Sequence, residues 1–166
     1  MKSLASLNID KWAPSAFCCL KKGDGELSIE NGEYGASSGP IEILDHKTLR
    51  LNNFSIQGTK PPDAWIYLGQ GEINQNTGQK ALIVGRDTNW KHCKIHEDLA
   101  NRQVEIRLGG NQTVYDVDYL SIFCYQYSVD FGSIRFKVDP SRVPVPFHMP
   151  PESDRGFPAD PAPIDC

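Results

Sequence analysis

Val104, Ile106 and Leu108 alternate with Gln103, Glu105 and Arg107, and Ile134, Phe136 and Val138 alternate with Arg135 and Lys137. A period of two sends one set of side chains to a core and the other to water, which an extended strand does and a helix does not. Runs of this kind, broken by Gly, Pro, Asn and Asp, fill the middle of the chain, and no segment sustains the apolar repeat of a stable helix. The expected fold is therefore all-β, an antiparallel sandwich or barrel-like single domain. A chain of 166 residues suffices for one core.

Glu33 to Leu44 and Thr48 to Ile56 read as strands joined at Asp45-His46-Lys47. Leu49 and Leu51 are out of phase with Phe54 and Ile56, so Asn52-Asn53 marks a bulge or twist. After Pro61-Pro62-Asp63, the segment Ala64 to Gly69 is apolar on both alternating sets, the mark of a strand covered on both faces. Glu72 to Lys80 reads as a loop, Ala81 to Val84 as a short strand, and Arg86 to Asn101 as an irregular stretch with room for a helical turn at His96 to Leu99. Val114 to Phe131 is the longest strand-like run. Unbroken alternation over 117–131 puts Leu120, Ile122 and Cys124 on one face, and Tyr119, Phe123, Tyr125, Tyr127 and Phe131 on the other. The domain spans 26–139. Residues 1–25 form an irregular N-terminal extension, and 140–166 a tail holding eight of the twelve prolines, which forbid regular helix or central strand.

Seventeen Lys and Arg against 21 Asp and Glu give a net charge of −4, which offers no footprint for phosphate backbones or anionic membranes. Nucleic acid is thus not an expected partner. The greasiest run, Ala16 to Leu20, ends at Lys21-Lys22, far short of the ~20 apolar residues of a membrane span. The start of the sequence meets Asn8 and Asp10 before any apolar run, so as written the chain reads as cytoplasmic, and as extracellular if its true N-terminus lies upstream.

No phosphate-cradling glycine loop, nucleophile elbow or paired-carboxylate motif is present, which argues against a hydrolase or NTPase. His92-Cys93-Lys94-Ile95-His96 holds one thiol and two imidazoles, at most three metal ligands, with Cys124 the natural fourth. A solvated loop is the competing reading. The haem-attachment pattern Cys-x-x-Cys-His is absent. Asp116 and Asp118, two apart on a strand, share a face that suits a cation, an acid–base pair or plain solvent. The five cysteines, at 18, 19, 93, 124 and 166, are an odd set without the spacing of a disulfide framework.

Three blocks in order, the Leu44-to-Phe54 hairpin, Pro62-Asp63-Ala64-Trp65-Ile66-Tyr67-Leu68-Gly69, and Val117-Asp118-Tyr119-Leu120-Ser121-Ile122-Phe123-Cys124 followed by Phe131-Gly132, resemble the DM-thirteen, or Skeletor-type, domain family over about residues 33–138. The resemblance implies an electron-transfer module whose recurrent cysteine is Cys124, a redox partner protein and a secreted or luminal setting. A thiol alone is a poor one-electron relay, so this implied role asks for a bound metal or haem at Cys124 or dithiol exchange, with Cys93 the candidate second thiol. Read from the residues alone, Cys124 is a small core hydrophobe. The alternative function is a non-catalytic module that offers an aromatic sheet face or an edge strand to a protein or glycan.

Overall fold

The computed structural model describes residues 21–22, 25–87, 92–142 and 144–145. Among the described residues ten strands follow one another: β1 (Lys21–Lys22), β2 (Gly25–Glu26), β3 (Ile41–Asp45), β4 (Thr48–Gln57), β5 (Ala64–Gly69), β6 (Gly78–Lys80), β7 (Leu82–Ile83), β8 (Asp98–Arg107), β9 (Tyr119–Cys124) and β10 (Val129–Arg135). β1 and β2 form a small separate ribbon, and the rest make two four-stranded antiparallel sheets in the orders β10-β9-β5-β6 and β3-β4-β8-β7. Their inner faces share one apolar cluster, with Ile41, Leu49, Phe54 and Ile106 from one sheet meeting Ile66, Leu68, Leu120 and Ile122 from the other. The arrangement is the sandwich that the alternation predicts.

The bulge in β4 lies where the phase breaks. Pairing with β8 shifts between Leu51 and Phe54, Asn53 takes φ 49°, and Leu49, Leu51, Phe54 and Ile56 all reach the core. Asparagine tolerates that left-handed backbone better than most residues. β5 is central between β9 and β6 and buried at every residue, as its two apolar sets require. Ile134, Phe136 and Val138 are buried while Arg135 and Lys137 are exposed, again as read.

Four expectations are corrected. The strand read from Glu33 begins only at Ile41, because a 3-10 turn at Glu33–Gly35 and then Pro40, which has no N–H to donate, precede it. The loop read over 72–80 ends in the edge strand β6. In place of a helical turn at 96–99, Ile95 bridges Ala64 and β8 starts at Asp98. Phe131 does not share the outer face with Tyr119 and Phe123, because the 125–128 turn and a bulge between Asp130 and Gly132 reverse the phase and send it to the inter-sheet core.

Most of the N-terminal extension and of the tail, including Cys18, Cys19 and Cys166, lies outside the described residues. Where the tail begins, Val145 is buried in the main cluster and its N–H donates to Tyr115 Oη at 3.1 Å. No helix among the described residues is long and apolar enough to cross a membrane.

Candidate functional site

Cys124 closes β9, with Ala64 of β5 and Val129 of β10 as its lateral partners. It is a free thiol, 1% exposed, on the same inward face as Leu120 and Ile122. The alternation thus placed it correctly, against aliphatic side chains. Metal or haem at this sulfur does not fit the packing. Strands flank it on both sides and the core closes over it, and no three His, Cys, Asp or Glu side chains among the described residues converge to hold a metal.

The predicted His92-Cys93-His96 cluster is dispersed. Cys93 is disulfide-bonded while Cys124 is free, so the two do not pair with each other. His92 Nε2 lies 3.0 Å from the Ala81 carbonyl and its ring packs edge-on to Trp65 at 5.0 Å. A carbonyl accepts only, so Nε2 carries the proton, and burial lowers the His92 pKa and keeps the ring neutral. His96 is exposed. Asp116 and Asp118 do not act as a pair either. Asp116 sits in a turn, accepting from Thr113 N and Oγ1, while Asp118 accepts from Gly71 N at 3.0 Å and pairs with Arg135 at 3.2 Å.

What holds the 92–97 segment is Arg86, a residue that no motif singles out. Its guanidinium reaches Asp87 at 2.8 Å, the Cys93 carbonyl at 2.9 Å, Glu97 at 2.9 Å and the Lys94 carbonyl. Asp87 is 1% exposed and accepts from Ile83 N at 2.6 Å. Desolvation outweighs these partners and pushes its pKa up to about 6. A carboxyl that binds its proton more tightly when folded than when unfolded makes the folded state gain stability as pH falls from above 6 towards 4. The gain is about 3 kcal/mol at most. We expect the stability difference between the wild type and Asp87→Asn, from urea titrations, to change by that order across this window. A difference independent of pH would refute the assignment.

On the opposite face of the β5–β9 pair lies a second, aromatic cluster. Tyr67, Tyr119 and Phe123 are 0% exposed. Tyr67 stacks on Phe123 at 4.6 Å and 14°, and Tyr125 stands edge-on at 6.0 Å. The 70–77 loop roofs this layer. Tyr67 Oη donates to the Asn74 carbonyl and accepts from Gly78 N, each at 3.0 Å, while Tyr119 Oη shares a 2.7 Å bond with Thr77 Oγ1. Burial pushes the Tyr67 phenol up to about 12 and raises that of Tyr119. At the margin Lys80 Nζ lies 4.1 Å from the Trp65 ring and 4.2 Å from Tyr125, and Trp65 Nε1 donates to Asp63 Oδ1 at 2.7 Å. Asp63 looked like mere punctuation in the sequence, although its i, i+2 spacing from Trp65 in extended chain was a legible signal.

A match to the family described as electron transfer DM13 runs over residues 28–136, the stretch that builds both four-stranded sheets. The chain belongs to the DM13 family. Two curated fruit-fly (Drosophila melanogaster) proteins are similar to it: Protein Skeletor isoforms B/C and isoforms D/E, each 29% identical over 110 residues, or 66% of this chain. The matched stretch covers only 13% and 7% of those two proteins, so their whole-protein activities do not transfer to this DM13 chain. No solved structure matches it.

Proposed function

We infer that this DM13 domain passes electrons between partner proteins in an oxidising compartment, and that Cys124 is its redox-active sulfur. The observation that carries the reading is the coincidence of the family match with the whole folded sandwich, in whose core Cys124 is the one free cysteine among the described residues. The Cys93 disulfide supports the compartment, because such bonds persist where thiols are not held reduced. Burial of Cys124 selects among mechanisms. Thiol–disulfide exchange needs a thiolate to touch the sulfur it attacks, which a 1% exposed thiol denies in the closed sandwich, so Cys124 gives up its proton and exchanges with a partner protein's disulfide only when the edge strand β10 lifts from β9. Of the alternative, the aromatic sheet face loses its surface, since Tyr67, Tyr119 and Phe123 are sealed beneath the 70–77 loop, which leaves an edge strand as what the domain would offer a protein or glycan.

Protein-film voltammetry of the wild type and Cys124→Ala tests the proposal. Alanine removes one sulfur from a packed core and costs about 1 kcal/mol, so the variant stays folded. Loss of the reversible wave is the expected result. An unchanged wave in a folded Cys124→Ala protein reduces Cys124 to packing.

A further inference from the structure

Asp63 and Trp65 form a unit that the reading above leaves unused. The indole N–H points at a carboxylate oxygen 2.7 Å away, and the carboxylate cannot swing off, because its other oxygen accepts from Gln126 N at 2.9 Å and the Asp63 carbonyl accepts from Tyr125 N at 3.1 Å. Trp65 is 7% exposed, with Lys80 over its face and neutral His92 at its edge.

An indole that loses an electron becomes a cation. Here that cation would face the half-buried Lys80 ammonium at 4.1 Å, where like charges repel. Moving the indole proton to Asp63 removes the conflict, since the product radical is neutral. The buried tyrosines have no such outlet: Tyr67 donates to a backbone carbonyl and Tyr119 bonds to the Thr77 hydroxyl, and neither acceptor is a base of carboxylate strength.

We propose that Trp65 is a one-electron carrier of this domain and that Asp63 takes and returns its indole proton. In the forward step the Nε1–H bond breaks, one electron passes to a high-potential one-electron oxidant of the peroxide-activated haem class in a partner protein, and the proton bonds to Asp63 Oδ1. An electron from a phenol-type reductant, which becomes a phenoxyl radical and releases its own proton to water, restores the indole as Asp63 returns the proton to Nε1. This assignment rests on the electron-transfer reading of the domain and does not require Cys124.

The test is flash photolysis of the full chain carrying W12F and W90F, which leaves Trp65 as its one indole. Photogenerated tris(bipyridine)ruthenium(III) serves as the oxidant. Transient absorption is expected to show the neutral indolyl radical. Asp63→Asn, which keeps an acceptor for Gln126 N, should slow its appearance by at least about tenfold and reveal the radical cation first. Trp65→Phe should abolish the signal. Should W12F with W90F fail to fold, the difference between wild type and Trp65→Phe gives the same readout. An absent radical, or identical species and rates in Asp63→Asn, overturns the proposal. A silent Trp65 beside an intact voltammetric wave sinks this couple alone, while a radical in a protein with no wave sinks the Cys124 assignment instead.

Discussion

Gly69→Ala is expected to destabilise the domain by about 3 kcal/mol or more, at the upper end of what overpacking costs. Gly69 ends β5, paired with Gly78 of β6 on one side and Tyr119 of β9 on the other. A methyl group there would stand 2.1 Å from the Thr77 carbonyl oxygen, 2.5 Å from Tyr119 Oη and 2.6 Å from Gly78 Cα. Two of these are backbone atoms, and Thr77 O is itself held by the Gln70 N–H at 3.1 Å, so nothing at the site yields cheaply. Relief requires the 70–77 loop to lift from Tyr67 and Tyr119. Urea unfolding should show the loss, and limited proteolysis should find new cleavage within 70–77. Gly71→Ala is the control. Its φ of +87° strains any side chain, but nothing lies within 4 Å, so about 1 kcal/mol is expected. Equal losses at the two positions would show that backbone strain, and not close approach, sets the requirement for glycine at 69.

Tyr67→Ala should cost about 3–5 kcal/mol, the range for emptying a fully buried aromatic site. Tyr67→Phe should cost only about 1–2 kcal/mol, since it keeps the ring stacked on Phe123 and loses the bonds to the Asn74 carbonyl and Gly78 N. The two values separate ring packing from the pinning of the roof loop. A cycle with Phe123→Leu isolates the stacking contribution, expected at about 0.5–1.5 kcal/mol. If Tyr67→Phe proved as damaging as Tyr67→Ala, the hydroxyl bonds would be what holds the layer together.

Local alternation was enough to place Val104, Ile106, Leu120, Ile122 and Cys124 on inward faces and to find the β4 bulge, because the two-residue period is a property of each strand by itself. It failed at Phe131 and at 96–99. In the first case a turn and a bulge reset the phase, and in the second pairing with β4 made a strand of residues that carry no alternation of their own. The site divided along the same line. Cys124 was legible from its block of neighbours, as the family resemblance was. The His92-Cys93-His96 grouping was adjacency in sequence only, dispersed by the Ala81 carbonyl, by the Cys93 disulfide and by solvent around His96.

The order of residues along the chain therefore determined an all-β sandwich of the DM13 kind and the inward face for Cys124, since both follow from periodicity and from blocks of neighbouring residues. The tertiary structure alone decided that the aromatic layer is roofed by the 70–77 loop, that Lys80 lies over Trp65, and that Arg86 and buried Asp87 hold the 92–97 segment. Those contacts join residues brought together only when strands pair and loops fold back. Their energies depend on burial and dielectric, which no local pattern encodes.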